Sequence, residues 1–236
     1  MKTVLQSMII ILTIAAALSA DSPKQLNQEG LDLYRAGKYG QAVKKFRKAV
    51  EINPRYGWAY YNLACTLGVI RKKGNICEHG AFQDRIVEYL TKAVKYQPVI
   101  KRKFKKDHDL DSIRKTIGYQ KLLGLTLTNP GHIKLLLQRV TTWYGPAPGA
   151  YGHTSAFSFK KSGSVMYWYL RITPEGHTAK VHLKGTWRFE GSSIIVVFNK
   201  PLQNKKIYKG KLDKNGRLSF DGIYGFYLDT PDECSA

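Results

Sequence analysis

The alternation of apolar and polar positions divides the chain into two textures that meet near Gly124. In LNQEGLDLYRAGKYGQAVKKFRKAVEINP, apolar or small residues fall at Leu26, Gly30 and Leu33, then at Tyr39, Ala42, Phe46 and Ala49. That period predicts two amphipathic helices joined near Gly37, the second ended by Pro54, whose ring cannot continue a helix. Small side chains at Gly30, Ala42 and Ala49 let two helix axes approach, and Leu33, Tyr39 and Phe46 fill the spaces between them. A second copy runs from GWAYYNLACTLG to DRIVEYLTKAVKYQP, with Leu63, Ala64, Leu67, Leu90, Ala93 and Pro98 in matching roles. Beyond it, Leu110, Ile113, Ile117, Leu122 and Leu123 recur at helical turns within DLDSIRKTIGYQKLLG.

Past Gly124 the period shortens. TLTNPG breaks the helical pattern, IKLLLQRV predicts one short helix, and WYGPAPGAYG reads as a turn-rich connector. TSAFSF, SVMYWYLRI, AKVHLKGTWRFE, SIIVVFNK, KIYKGKL, GRLSF and IYGFYL then alternate apolar with polar residues, the signature of half-buried strands. KKSG, EGSS, DKNG and the Asp221–Gly222 pair are hairpin-type connections, so successive strands should pair antiparallel. The expectation is a meander of about six or seven strands curled into a small barrel or half barrel, which hides its edges. Its side chains should fill the lumen. Trp143, Tyr144, Tyr151, Trp168 and Trp187 are expected in the core or around its collar. The fold class is therefore α+β, with a helical domain over 21–124, a connector over 125–150 and an antiparallel β domain over 151–236.

At most of its signature places the first helix pair resembles a tetratricopeptide repeat, with Leu26 standing where that family often has tryptophan. Pro54 and Pro98 lie 44 positions apart, against a repeat period of about 34. The difference predicts an insertion of roughly ten residues between the paired helices of the second copy, placed at the basic loop RKKGNICEHG. Asp107, Asp109, Leu110, Arg114, Tyr119, Leu122 and Leu123 resemble the terminal motif that closes some arrays of this family. In a second, more local likeness, GTWRFEGSSIIVVF resembles strands of lipocalin-like small barrels.

The three alternating aspartates also open like a calcium-binding loop, but such a loop needs glycine at its sixth position and a bidentate glutamate at its twelfth. Those places hold Ser112 and Gly118, and Lys105, Lys106, Arg114 and Lys115 flank the site. The aspartates are better suited to capping a helix N-terminus, where carboxylates satisfy free amides. The resemblance implies a concave groove lined by the first helix of each pair, with Asn27, Leu31, Tyr34, Arg35, Trp58, Tyr61 and Asn62 as candidate partner-binding residues and Cys65 at its edge. Asn62 fits the family's clamp for a C-terminal carboxylate, whereas Leu31 stands where an asparagine is expected.

Charge and the chain's start refine this picture. Lys and Arg number 38 against 17 Asp and Glu, a formal net charge of +21, which attracts anionic surfaces or polymers with an affinity that falls as salt rises. MKTVLQSMIIILTIAAALSA, with Lys2, an uncharged run and small closing residues, has the form of a signal peptide over 1–20. Its apolar run is shorter than the about 20 residues a spanning helix needs. An exported chain, periplasmic or extracellular, follows, for which nucleic acid is not the expected target. In an oxidising compartment Cys65 and Cys77 are close enough in sequence to bridge, leaving Cys234 in the polar tail.

Catalytic chemistry finds little support. His79, His108, His132, His153, His177 and His182 are scattered, without HExxH or zinc-type cysteine spacing. No nucleophile elbow, phosphate loop or dinucleotide fingerprint occurs, and no cofactor or metal is implied. The sequence therefore points to a non-enzymatic interaction or scaffold protein that binds a polypeptide through its helical groove. Two alternatives stand beside it: a carrier or sensor of a small apolar ligand held by the β domain, and an enzyme of unrecognised type.

Overall fold

The computed structural model describes residues 21–140, 142–145 and 154–229. The signal-peptide segment, most of the connector's second half with Tyr151 and His153, and the tail with Cys234 lie outside them. α1 (Pro23–Arg35) starts at Ser22, whose hydroxyl accepts the amide of Gln25. α2 (Tyr39–Ile52) returns against it, and the two helices touch where Gly30 faces the Phe46 ring, so closely that a Cβ at Gly30 would overlap it. α3 (Gly57–Lys72) and α5 (Gln83–Tyr96) form the second pair. The insertion predicted between them is there, and part of it winds into α4 (Ile76–His79). Leu26, Ala42, Phe46, Ala49, Leu63, Ala64, Leu67, Leu90 and Ala93 are all fully buried, as the helical period requires.

The segment after Pro98 differs from the continuous helix that its leucine spacing suggests. It forms 3₁₀ turns at Pro98–Lys106 and His108–Leu110, then a further turn, and only Ile117–Leu122 is α-helical, as α6. Arg114 explains the departure. Its guanidinium donates to the carbonyls of Phe104, Lys105 and Asp107 at 3.2, 3.0 and 2.7 Å and grips the Asp111 carboxylate at 2.7 Å. The Phe104 and Lys105 carbonyls thus point at a side chain in place of the amide one helical turn ahead. The cap sits directly on α3 because Gly68 has no side chain: a Cβ there would collide with the Asp109 carbonyl oxygen. Ser112 then donates to the Gly68 carbonyl at 2.9 Å.

α7 (Pro130–Arg139), the short helix predicted after TLTNPG, is capped by Asn129 and leads into the sheet. The strands are β1 (Trp143–Tyr144), β2 (Ser155–Phe159), β3 (Ser164–Ile172), β4 (Thr178–Glu190), β5 (Ser193–Leu202), β6 (Lys205–Leu212), β7 (Leu218–Phe220) and β8 (Ile223–Tyr227). They pair antiparallel in sequence order. The sheet is a nearly closed barrel, its ends meeting through the Tyr144–Leu228 bridge, with amide-to-carbonyl distances of 2.7 and 2.8 Å. All seven predicted runs are strands; the eighth, β1, lies in what reads as connector. The β5–β6 turn puts Gln203 and Asn204 at φ of 49° and 63°, the left-handed pair that a tight hairpin needs.

Aromatic side chains fill the barrel. Phe157 is at the centre, with the rings of Tyr167, Phe220 and Tyr227 at 4.4, 4.7 and 4.8 Å. Trp143 and Trp187 are buried in the same core, while Trp168 stays at the collar beneath the Lys180 ammonium, 3.8 Å from its ring centre. Leu137 and Val140, at the end of α7, and Ile117 of α6 join this cluster. Asp229 fastens the two halves, its carboxylate accepting the Ile117 amide at 2.5 Å and the Gln83 side chain at 3.4 Å.

Candidate functional site

The concave side of the helix pairs carries a cavity of about 160 Å³ lined by Leu31 and Tyr34 of α1, Phe46 of α2, and Tyr61, Asn62, Cys65 and Thr66 of α3. Asp107 and Asp109, from the cap, complete its wall. Residues 31 and 34 share a helix face, as do 61, 62 and 65, because three or four positions make one turn. Four of the candidate groove residues, Leu31, Tyr34, Tyr61 and Asn62, therefore line one cavity, together with Cys65. Asn27 supports it from beneath, accepting a hydrogen bond from the Asn62 amide at 2.9 Å. Trp58 stands beside it, edge-on to Tyr61 at 6.3 Å, with the Lys103 ammonium 5.4 Å from its ring centre. Arg35 lies outside: it is exposed and pairs with Asp32 at 2.8 Å on the outer face.

Asp107 and Asp109 are the residues that the groove reading missed. Asp107 accepts the Asp109 amide at 3.0 Å, so it does cap, although what it caps is a 3₁₀ turn. Its other oxygen accepts from the Tyr61 hydroxyl and, at 3.5 Å, from the Cys65 thiol. The Tyr34 hydroxyl faces Asp109. The alternating aspartates were the available signal, but nothing local in them points to Tyr61 or Cys65, more than forty positions earlier.

Burial sets the protonation of this group. It pushes the Cys65 thiol well above its ordinary value, and the two nearby carboxylates push the same way. Burial raises both tyrosines for the same reason, so their hydroxyls remain donors at neutral pH. Asp109 is also raised, chiefly by burial and against the opposing Tyr34 hydroxyl. The ligand-type atoms of Cys65, Asp107 and Asp109 lie within 4.8 Å of one another. Metal binding would need a thiolate, whereas here the thiol is held protonated and its hydrogen is directed at Asp107. The group acts as a hydrogen-bond node that ties the cap to α1 and α3.

The bridge expected between Cys65 and Cys77 does not form. Cys65 is free and buried, and Cys77 is disulfide-bonded. Cys65 sits in the middle of α3 facing the groove, while Cys77 is exposed on α4, so the few residues between them in sequence say little about reach. The remaining cysteine, Cys234, lies outside the described residues.

A second concavity, of about 200 Å³, opens at the barrel mouth beside Ser155, Tyr167 and Tyr227. Tyr227 meets the Tyr167 hydroxyl at 3.1 Å and that of Ser155 at 3.2 Å. Burial raises both tyrosines above their ordinary values. That is the wrong direction for a general base at neutral pH, so the trio serves as an internal hydrogen-bond network.

A family model described as TPR repeat matches residues 30–67, from the middle of α1 through α2 to Leu67 of α3. No curated protein matches the chain. Among the described residues no helix is long and apolar enough to cross a membrane.

Proposed function

We propose that this chain is an exported, non-enzymatic interaction protein that captures a polypeptide segment in the groove between α1 and α3. The observation that carries the proposal is the convergence of Leu31, Tyr34, Tyr61 and Asn62 on one concave cavity within the repeat-matched region. Tyrosine suits such a role because it offers a large contact area, a polar tip and few rotatable bonds. Asp107 and Asp109 on the cavity wall disfavour a free carboxylate there, so the occupant is an internal segment or one presenting a donor or cationic side chain, in place of an acidic C-terminus. Export is supported by the signal-peptide pattern over 1–20 and by the disulfide at Cys77, a bond that persists in oxidising compartments. The basic surface would speed encounters with anionic partners.

The test is affinity capture with in-cell crosslinking from the source cells, comparing the wild-type chain with Tyr34→Ala, Leu31→Arg and, as an outer-face control, Arg35→Glu. Capture of a defined partner should be lost in both groove variants and retained in the control, with circular dichroism unchanged in all. Recovery of the same proteins by both groove variants would show that the groove is not the binding face.

A further inference from the structure

A third, larger concavity lies away from the groove, where the α1–α2 turn, the end of α3 and α4 meet. Its volume is about 500 Å³, and Lys38, Tyr39, Lys44, Lys73, Asn75 and His79 are among the side chains around it. We propose that this pocket binds a phosphate monoester.

The three lysines come from three places: the α1–α2 turn, the first turn and a half of α2, and the end of α3. None forms an ion pair among the described residues, although Lys45 and Lys48, close by in sequence, pair with Glu29 and Asp21 at 2.5 and 2.9 Å. Three unneutralised ammonium groups around one hollow repel each other, and a bound anion relieves that repulsion. Lys73 is steered over the hollow by the Tyr39 ring, its nitrogen 4.4 Å from the ring centre. The start of α2 adds to the same sign, having no side-chain cap and no acidic residue in its first turn.

The wall opposite is fixed in place. The His79 ring packs against Gly40, where a Cβ would come within 2.8 Å of it, and the His79 carbonyl accepts from Arg47 at 3.0 Å. The Glu78 carboxylate lies 3.4 Å from the imidazole and is not part of the lining. The chemistry of the lining selects the anion. Lysines act as point charges that suit a compact, multiply charged anion, and none of the lining residues is an arginine whose planar fork would favour bidentate pairing. Three positive charges exceed what one carboxylate needs, and a phosphate monoester carries about −1.5 to −2 at neutral pH. Asn75 and the Tyr39 hydroxyl can supply donors to its remaining oxygens.

The same headgroup could be soluble or borne on a lipid, and two probes separate these sources. Glycerol 3-phosphate would be titrated into the full chain by calorimetry at low salt, and vesicles of phosphatidic acid in phosphatidylcholine would be tested by flotation. The variant Lys38→Gln/Lys44→Gln/Lys73→Gln is compared with Lys184→Gln/Lys209→Gln/Lys211→Gln, which removes equal charge from exposed positions on the barrel. All six side chains are exposed, so neither variant should disturb folding. The expected result is binding of glycerol 3-phosphate, or of the vesicles alone if the source is lipid. Affinity should fall about tenfold or more in the first variant and stay near wild type in the second. Binding of neither probe, or equal loss in both variants, would overturn the proposal. Leu31→Arg, whose side chain lines the groove cavity and not this pocket, should leave this binding intact, which keeps the result separate from the fate of the groove.

Discussion

Asp109 shows how one side chain couples the stability of the helical half to pH. Burial raises its folded-state value above the ordinary 3.8. Between the two values the folded chain holds a proton that the unfolded chain has released, so the contribution of this carboxyl to stability is present at low pH and is lost as pH rises through the folded value. At neutral pH the ionised form is a cost. Asp109→Asn keeps an acceptor for Tyr34 and should raise the melting temperature of the helical half at pH 7, with the gain vanishing as pH falls below 3.8. Asp111 works in the opposite sense: the Arg114 guanidinium lowers its value, so its contribution is present above 3.8 and is lost as pH falls through the lowered one. Thermal melts of Asp109→Asn and wild type across pH 3 to 7 would separate the two; an unchanged melting temperature at pH 7 would remove the burial cost assigned to Asp109.

At the scale of elements, the cap after Pro98 replaces a third repeat with turns held by one arginine. An array needs its exposed end closed, because a repeat's apolar face is incomplete without a neighbour. Here Ile100, Phe104, Leu110 and Ile113 supply that closure and are fully buried. Arg114 organises them by donating to three carbonyls at once, of which that of Phe104 also accepts from the Tyr119 hydroxyl and that of Asp107 from the Leu110 amide. Arg114→Ala should therefore cost about 2–3 kcal/mol, the loss of several hydrogen bonds made by one charged group. The expected readout is a lower denaturation midpoint and faster amide exchange over residues 98–124, with β2 to β6 protected as before. Fast exchange spread evenly over the chain would mean that the cap is not a separate element. The cap was only partly legible beforehand: its apolar positions and acidic head were visible, but their spacing suits either a helix or a series of 3₁₀ turns. The choice depends on where the Arg114 side chain lands.

For the whole molecule, Asp229 and Ile117 connect the helical array to the barrel. Asp229, just beyond β8, caps α6 through the Ile117 amide, and Ile117 buries its side chain in the barrel core. A carboxylate capping a helix is worth about 1 kcal/mol. Asp229→Ala should lower stability by roughly that amount and increase exchange at the α6 amides, without loosening the barrel's aromatic core. Unchanged exchange at α6 would show that the apolar contact alone holds the halves together. The same long-range arrangement carries Asp107 and Asp109 to the groove, so what terminates the array also shapes its candidate binding cavity.

The period of apolar residues by itself determined the helix pairs and β2 to β8, and the turn residues between the strands their antiparallel order, because 3.6- and 2-residue repeats and hairpin turns are local properties of the backbone. It could not find β1, whose two residues are too few to alternate. Nor could it set the phase of α1 finely enough to see that Tyr34 enters the cavity while Arg35, a hundred degrees further round, pairs outside it. Only the tertiary structure decided the contacts between distant segments: the cap's carboxylates against Tyr61 and Cys65, the free state of Cys65, and the lysines that gather around the pocket beside α4. Those contacts depend on distances in space between residues far apart in the chain, and no local pattern of hydrophobicity encodes such distances.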